Sequence, residues 1–307
     1  MTAAPTAPLA IVGPTASGKS ALAMELARRT GAELVSVDSM QVYRGMDIGT
    51  AKPTRQDRDE VPHHLLDLLD PDEEGSASWF QEQARRVLDD LAARGRPVIL
   101  VGGTGLYHRT VVDGLTIPPQ FPALRDELEA EPDTAVLHER LQRLDPEGAT
   151  RMEQTNRRRV LRALEVTLGT GRPFSSFGPG LAVYPESDVL QVGLRIERPV
   201  LRARIEERFA EQMAAGFLDE VKALDARPEG WSRTAAQALG YRELLAHVRG
   251  ERPLQDCVDE AVMRTRRFAV RQDRWFRRDP RVVWLDVDPF GGVRAMADEI
   301  VERWLAV

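Results

Sequence analysis

Residues 9–30 have the sequence LAIVGPTASGKSALAMELARRT, and this stretch decides the fold. Its first four residues are apolar and are followed by Gly13 and Pro14, a pattern typical of a short buried strand. Residues 20–29 are rich in alanine and leucine and favour a helix. Between the two, GPTASGKS fits the pattern G-x-x-x-x-G-K-[ST], a loop whose backbone N–H groups bind phosphate oxygens. The predicted strand–loop–helix order is the one that this mechanism requires.

The loop also predicts how its residues would hold a phosphate. Its glycines let successive N–H groups point inward, and the helix beginning near Lys19 adds its positive dipole end. The Lys19 ammonium would reach the terminal phosphate, and the Ser20 hydroxyl would bind Mg²⁺. The predicted phosphate-binding residues are Gly13, Pro14, Thr15, Ala16, Ser17, Gly18, Lys19 and Ser20. The motif indicates a diphosphate or a triphosphate without distinguishing between them.

Apolar segments alternate with helical segments along much of the remaining chain. We predict further strands over 33–37, 98–101, 189–196 and 282–287. We predict helices over 78–94, 199–224 and 254–277. Strands that alternate with helices indicate a parallel sheet covered on both faces.

Residues 117–186 break this alternation. No strand is predicted there; helical segments over 123–130, 134–144 and 157–168 precede the Gly/Pro/Ser-rich stretch GRPFSSFGPG. The expected fold is therefore α/β, a P-loop NTPase-like parallel sheet flanked by helices, with an all-helical insertion domain. We place the core domain at residues 1–116 and 187–307 and the insertion at 117–186.

The composition sets broad limits on function. The chain has 307 residues, 42% apolar and 29% charged, which is ordinary for a globular protein. The single cysteine, Cys257, excludes an internal disulfide and a multi-cysteine zinc site and is expected to be a core residue. No apolar run approaches the ~20 residues of a membrane span, and the start lacks the basic segment of a signal peptide. We expect a soluble cytoplasmic protein that does not bind membranes.

The charge distribution points to a polyanionic partner despite a net charge of −6. Residues 262–281 contain eight arginines and two aspartates, and residues 151–162 contain five arginines and one glutamate. Basic stretches with interleaved aromatic residues are typical of nucleic-acid binding, although a solvated helix face is the alternative. Lysines are rare, and Lys19 and Lys52 have the compact charge that suits a phosphate.

The loop lacks the partner expected in an ordinary kinase or ATPase. Such sites usually have a second strand that ends in an acidic residue holding Mg²⁺. The strand in PVILVGGTG ends instead in glycines and Thr104, and a carboxylate, Asp38, follows the strand over 33–37. Ligands gather at the carboxyl ends of parallel strands, so both residues should border the phosphate loop. Asp38 is predicted to act as general base or metal ligand, with a turn-forming role as the alternative.

Eight segments occur in the order typical of one family. They are GPTASGKS (13–20), DSMQVY (38–43), GMDIGTAKP (45–53), PHHLLD (62–67), GGTGLY (102–107), RALEV (162–166), GYRE (240–243) and TRRFAVRQDRWFR (265–277). Together they resemble the bacterial tRNA dimethylallyltransferases, also called tRNA isopentenyltransferases. The resemblance spans nearly the whole chain, and it departs from the family pattern at Thr155 and Val270.

The resemblance implies a reaction and roles for individual residues. This family moves a dimethylallyl group from dimethylallyl diphosphate to N6 of the adenosine just 3′ of the tRNA anticodon, with Mg²⁺. It implies that Asp38 takes the proton of the amine, that Thr104 lies near the amine and diphosphate, and that Arg208 contacts the diphosphate. Arg204 lies one turn earlier on the same helix face as Arg208. For both arginines, pairing with Glu206, Glu207 or Glu211 is the alternative.

The resemblance also implies a tRNA-binding surface. The base would be flipped into a channel, and the helix over 264–278 would bind phosphates of the anticodon stem. The implied tRNA contacts are Ser39, Met40, Gln41, Arg125, Arg158, Arg159, Arg162, Gly240, Tyr241 and Arg242. A monomer is expected, and binding of ATP at the loop is left open.

Two other classes of function remain possible from the sequence. A small-molecule kinase would use the loop for ATP, but GTAKP, GGTGLY and the basic helices would then have no role. An RNA-binding module with a vestigial loop would bind tRNA without catalysis. The adjacent His63 and His64 face opposite sides of an extended chain and are predicted to be structural.

Overall fold

The structure is a computed structural model that describes residues 7–287 and 292–306. The described residues form two compact units, one up to Val112 and from Glu186 onward, the other Asp113–Pro185. The boundaries predicted from composition lie close to these. The expectation about a leader rests on the first residues of the chain, and residues 1–6 lie outside the described part.

The first unit is built on a sheet of six parallel strands. They are β1 (Leu9–Val12), β2 (Glu33–Val37), β3 (His63–His64), β4 (Val98–Gly102), β5 (Leu190–Arg195) and β6 (Val282–Asp286). Their spatial order is β3-β2-β4-β1-β5-β6, so β1 lies inside the sheet between β4 and β5. This confirms the predicted α/β class. The β3 strand was not predicted, because two residues are too few to show a periodic pattern.

Thirteen helices occur in the described residues. In chain order they are α1 (Lys19–Thr30), α2 (Arg55–Glu60), α3 (Ala77–Ala93), α4 (Gly105–Val112), α5 (Pro122–Glu129), α6 (Thr134–Leu144), α7 (Pro146–Thr150), α8 (Arg157–Thr170), α9 (Arg198–Ala214), α10 (Phe217–Asp225), α11 (Tyr241–Val248), α12 (Leu254–Phe276) and α13 (Gly292–Leu305). The prediction of one helix over 199–224 is wrong. Gly216 has a φ of 101°, a left-handed conformation that ends α9 before α10 begins.

Apolar residues cover both faces of the sheet. On β1, Leu9 and Ile11 pack against α1 and α13 residues such as Leu22 and Trp304, whereas Ala10 belongs to the core of the other face. All residues of β1 and β2 are buried, as expected for inner parallel strands. Cys257 of α12 is fully buried, which confirms its predicted core position.

The second unit, Asp113–Pro185, contains α5 to α8 and no strand among its residues. Its own core includes Leu128, Leu141, Val160 and Leu164. None of the described helices of either unit is long and apolar enough to cross a membrane.

Candidate active site

The phosphate loop between β1 and α1 turns sharply through three residues with positive φ angles. Gly13, Ala16 and Gly18 all have positive φ values, of 141°, 62° and 96°. A Cβ on Gly13 would lie 3.0 Å from the Leu194 carbonyl oxygen, so a larger residue would collide with β5. The first turn of α1 carries no acidic side chain. The positive end of the helix dipole therefore faces the loop without a competing anion.

A large cleft opens where the strands end. Its volume is about 1170 Å³, somewhat more than the ~300–1,000 Å³ typical of a small-ligand pocket. All of its lining residues belong to the first unit. The predicted site residues that line it are Thr15, Ala16, Gly18, Lys19, Ser20, Asp38, Ser39, Met40, Gln41, Thr104, Arg204, Arg208 and Tyr241. Gly13, Pro14 and Ser17 are buried in the loop itself.

Lys19 lies at the floor of this cleft with little to neutralise it. Its Nζ donates to the Pro14 carbonyl oxygen over 2.6 Å. Burial, together with the neighbouring Arg208 guanidinium, lowers the pKa of Lys19 to about 7, and the Asp38 carboxylate acts in the opposite direction. A bound anion would restore the charged form, which is the behaviour expected of a phosphate-binding lysine.

Lys52, the second lysine considered for phosphate binding, has a structural role instead. Its ammonium donates to the Tyr43 carbonyl oxygen over 2.7 Å and to the Asp47 and Asp67 carboxylates over 2.6 Å each. The side chain is fully buried. All three donors of the ammonium are used, so the expectation that Lys52 reaches a phosphate is corrected.

The two arginines of α9 predicted to bind diphosphate, Arg204 and Arg208, line the cleft. The Arg208 Nη1 donates to the Thr15 hydroxyl over 3.3 Å, and burial lowers the pKa of Arg208. Arg204 lines the same cleft and is half-buried. Within the described part of the chain, neither arginine forms an ion pair with Glu206, Glu207 or Glu211.

Asp38 combines the two roles that the sequence left open. Its Oδ1 accepts the Met40 N–H over 2.8 Å and the Gln41 N–H over 3.4 Å, which fixes a turn after β2. Its Oδ2 accepts no hydrogen bond from a described residue, and Asp38 lines the cleft. The Thr104 hydroxyl accepts the Ser39 N–H over 3.1 Å, so it can still donate its own hydrogen to a ligand. The Thr104 hydroxyl also lies 3.4 Å from the Ser39 hydroxyl, and either group can be the donor. One carboxylate oxygen of Asp38 and the hydroxyl-bearing Thr104 therefore both border the cleft.

The half-buried Glu220 of α10 holds the loop over 47–49 beside the cleft. Glu220 accepts the backbone N–H groups of Asp47, Ile48 and Gly49 and the Tyr241 hydroxyl. The Tyr241 ring is fully buried, and burial together with the Glu220 carboxylate raises its pKa. The side chain supports the loop from inside, and a contact between Tyr241 and tRNA stays a prediction.

The neighbours of Tyr241 differ in exposure. Gly240 is buried with a φ of 83°, and a Cβ there would lie 2.7 Å from the Phe217 ring. Arg242 is exposed and lies outside the large cleft. A contact with tRNA stays a prediction for both residues.

The glycines of GGTG allow α12 to approach the end of β4. A Cβ on Gly103 would lie 2.2 Å from the Gln272 Nε2, and one on Gly105 would lie 2.3 Å from the Trp275 indole. Thr104, between them, points its hydroxyl into the cleft. Sequence reasoning missed Gln272, which lines the cleft; the only signal was its position within the basic segment.

The arginines predicted to bind tRNA fall into three groups. On α12 and in the turn that follows it, Arg267, Arg271, Arg274 and Arg278 are exposed and form no ion pair with a described residue. The spacing of four and three residues places the first three on one helix face, and Arg278 follows in the turn; we call these four residues the arginine stripe. In the second unit, Arg125 and Arg162 pair with the buried Glu165, at 3.8 and 2.7 Å. Arg158 and Arg159 are exposed at the start of α8.

Comparison with known proteins gives a consistent family. Residues 41–279 match the model of the IPP transferase family. The tRNA dimethylallyltransferase of Streptomyces coelicolor is 50% identical over 299 residues, covering 95% of this chain and 94% of that protein. The tRNA dimethylallyltransferase of Geobacter metallireducens is 45% identical over 281 residues, covering 90% and 91%.

Solved structures agree with these relatives. The tRNA isopentenylpyrophosphate transferase of Bacillus halodurans is 37% identical, covers 97% of each chain and superposes with a TM-score of 0.70. A eukaryotic dimethylallyltransferase acting on tRNA is 27% identical, with a TM-score of 0.78 over 96% of this chain and 79% of that one. The resemblance seen in the sequence motifs is thus confirmed, and this chain belongs to the IPP transferase family.

Proposed function

We propose that the protein transfers a dimethylallyl group from dimethylallyl diphosphate to N6 of the adenosine 3′-adjacent to the anticodon in tRNA, releasing diphosphate. One observation carries the proposal. The phosphate loop and the free Oδ2 of Asp38 open into the same cleft, while β4 ends in glycines instead of the carboxylate of a nucleotide-hydrolysing site. Family membership favours this prenyl transfer over the kinase alternative.

The side chains around the cleft match the two halves of the reaction. The allylic C–O bond breaks with its electron pair leaving on the diphosphate, whose charge Lys19, Arg208 and the loop N–H groups would stabilise. The lone pair of N6 forms the new C–N bond. Asp38 would orient the amine and take its proton as that bond forms. Thr104 is placed to donate to the oxygen between the two reacting groups.

The donor set fits a magnesium ion that arrives with the diphosphate. No group of three or more His, Cys, Asp or Glu side chains suited to a metal occurs among residues 7–287 and 292–306. Mg²⁺ commonly binds through one or two protein oxygens plus substrate phosphates and water. The exposed Ser20 hydroxyl at the start of α1 would supply the protein ligand. When bound, the ion would neutralise charge on the leaving diphosphate.

Recognition of tRNA follows from the size of the cleft and from the arginine stripe. A stacked base cannot reach the phosphate loop, so the adenosine must be extruded from the anticodon loop. The volume of the cleft exceeds the need of a small diphosphate alone. The stripe would bind backbone phosphates of the stem. We propose a monomer, acting in the cytoplasm on its tRNA substrate.

The direct test combines purified protein, Mg²⁺, dimethylallyl diphosphate and an unmodified anticodon stem-loop RNA. We expect a mass gain of one dimethylallyl group on the single target adenosine, without any need for ATP. Product that forms only with ATP, or that carries a phosphoryl group, would favour the kinase. RNA binding with no product under any condition would favour the binding module.

Asp38→Asn tests the chemical role of the carboxylate. The amide keeps an oxygen for the Met40 N–H and so preserves the turn, but it cannot accept a proton. We expect a transfer rate lower by about 10²–10⁴-fold with unchanged RNA affinity, measured by single-turnover kinetics and filter binding. Asp59→Asn, the same change at an exposed carboxylate of α2 that does not line the cleft, is the matched control. A rate for Asp38→Asn equal to that of this control would remove Asp38 from the mechanism.

A further inference from the structure

Helix α12 carries a buried amide on a different face from the arginine stripe. The Gln272 side chain is 6% exposed. Its Oε1 accepts the Thr15 N–H over 2.8 Å, and its Nε2 donates to the Gly103 carbonyl oxygen over 2.9 Å. A backbone N–H can only donate and a carbonyl oxygen can only accept, so the orientation of the amide is fixed by its partners. Gln272 thus joins the phosphate loop to the loop after β4.

Each of these two loops leads directly to a group that faces the cleft. Thr15 accepts a hydrogen bond from Arg208, which would contact the diphosphate. Gly103 precedes Thr104, whose hydroxyl accepts the Ser39 N–H beside Asp38. Through Thr15, the amide is therefore one hydrogen bond away from Arg208, on the diphosphate side of the cleft. Through Gly103, it is one residue away from Thr104, on the amine side.

The fit around the amide is close on the Gly103 side. A Cβ at this glycine would lie 2.2 Å from the Gln272 Nε2, so the sequence keeps a glycine where the amide passes. An unpaired Thr15 N–H would leave the phosphate loop free to shift. Displacements of about 1 Å in a reacting constellation can cost roughly 10²-fold in rate.

We infer that Gln272 is a positioning residue that sets the spacing between the phosphate loop and the Asp38–Thr104 pair. It acts through the two backbone groups it bonds. The inference rests on the proposed prenyl transfer. It also gives α12 two roles. The exposed arginines on one face would bind RNA, and Gln272 on another face would set the distance between the groups that hold the two substrates.

Gln272→Met tests this, since methionine has nearly the same length and forms neither hydrogen bond. We expect kcat to fall by about 10²-fold, with the RNA dissociation constant and the KM for dimethylallyl diphosphate each changed by less than about threefold. Gln255→Met is the control, because Gln255 is an exposed residue of the same helix that bonds only Asp259. Thermal unfolding reports the folded fraction of each variant.

Gln272→Glu gives a second measurement that a purely structural role would not move. Its carboxylate keeps an acceptor for the Thr15 N–H but places a charged oxygen against the Gly103 carbonyl. When protonated, the carboxyl group regains a donor and becomes isosteric with the amide. Because burial raises the pKa of a carboxyl group, the rate relative to wild type should recover as the pH falls from about 8 to about 6.

Three results would overturn the inference. These are a kcat for Gln272→Met equal to that of Gln255→Met, a loss confined to RNA affinity or folded fraction, or a flat pH ratio for Gln272→Glu. Absence of product with the wild-type enzyme would instead overturn the proposed function, and this inference with it.

Discussion

The arginines of two basic segments of this protein differ from one another in their partners. Residues 262–281 contain eight arginines, and residues 151–162 contain five. In the first segment, the four arginines of the stripe are exposed and form no ion pair with a described residue, whereas the other four pair with carboxylates: Arg264 with Glu243, Arg266 with Glu206, Arg277 with Asp273 and Arg281 with Asp279. In the second, Arg151 pairs with Glu147, Arg157 donates to three backbone carbonyls and Arg162 pairs with Glu165. Only Arg158 and Arg159 there are exposed without a described partner.

The difference indicates that a guanidinium is free to bind phosphate only when it is not already paired within the protein. A paired arginine has already exchanged water for a carboxylate, and its charge is largely neutralised at long range. An exposed, unpaired arginine keeps both its charge and its donors for phosphate oxygens. Counting arginines in a sequence therefore overstates how many can bind RNA in both segments. The predictions below challenge this contrast, beginning with the largest expected effect.

Removing the whole stripe should give the largest effect. With Arg267, Arg271, Arg274 and Arg278 all changed to Gln, four phosphate contacts are lost. The slope of log K against log salt should become shallower by about four, which corresponds to roughly 10³-fold weaker binding of the anticodon stem-loop at about 0.1 M salt. Binding titrations at several salt concentrations measure both quantities.

The stripe variant also needs a test of folding and a control variant in which paired arginines are replaced. Exposed arginines without ion pairs should contribute little to stability, so the midpoint of thermal unfolding should barely move. A triple variant of the partnered arginines, Arg151→Gln, Arg157→Gln and Arg162→Gln, should change the salt slope by less than one. An equal slope change in the two variants would contradict the contrast.

Replacing Glu165 should lower the free energy of unfolding, whereas replacing the arginine stripe should not. Its carboxylate is 4% exposed and accepts the Phe121 N–H and the Arg162 guanidinium, with Arg125 nearby. Glu165→Ala removes the partner of the Phe121 N–H and the carboxylate partner of Arg162, although Arg162 still donates to the Pro118 carbonyl oxygen and Arg125 still pairs with Glu129. Because both arginines are partly exposed, we expect about 2 kcal/mol, below the usual cost of breaking a buried pair. Urea unfolding, followed by hydrogen exchange of α8, measures it.

Glu147 provides the control for that measurement. It pairs with Arg151 at the surface, and both side chains are exposed. Exposed pairs of this kind contribute about 0.2–1 kcal/mol. Glu147→Ala should therefore have a much smaller effect than Glu165→Ala; comparable losses would show that burial does not separate the two pairs.

The sequence predicted the structure well where the structure depends on residues that are close together in the chain. The phosphate loop, the turn after β2 and strands β1, β2 and β4 were predicted to within a residue or two, because apolar runs and glycines fix them locally. The break at Gly216 was missed, since apolar spacing alone continues through it. Contacts across long stretches were also missed. Thr15 and Gln272 are 257 residues apart, and only the folded topology selects such partners.

Lys52 and Tyr241 illustrate the same limit within the site. Residue type favoured a phosphate contact for the lysine, and the family pattern favoured an RNA contact for the tyrosine. The structure surrounds Lys52 with Asp47, Asp67 and a carbonyl, and buries Tyr241 against Glu220. Spacing in the sequence reports that such residues lie near the cleft, but not whether their polar atoms face it.

Lys19 extends the contrast to a half-buried cation that forms no ion pair with a carboxylate among residues 7–287 and 292–306. With its pKa lowered to about 7, the free enzyme loses this charge as the pH rises above neutrality. Binding of diphosphate then requires uptake of a proton, so each pH unit above about 7 should cost up to tenfold in affinity for inorganic diphosphate. Calorimetry in buffers of different ionisation enthalpy measures the uptake.

Lys19→Arg is the control for this titration, since a guanidinium stays protonated throughout the range. Its affinity is expected to be lower than that of the wild type, but proton uptake should disappear. Uptake that persists in the variant would assign the proton to another group, such as the diphosphate itself.

The smallest expected effect compares two adjacent arginines at the end of α12. Arg278 belongs to the stripe, whereas Arg277 donates to Asp273 over 2.8 Å and lies 5.2 Å from the Trp284 ring centre. Arg278→Gln should reduce the salt slope of RNA binding by about one, and Arg277→Gln by less than half as much. Both residues are exposed and lie in the turn that follows α12, so the two variants change the net charge equally. If the salt slope depended on net charge alone, the two variants would give the same value. We expect the larger change for Arg278→Gln, because the Arg278 guanidinium has no carboxylate partner among the described residues.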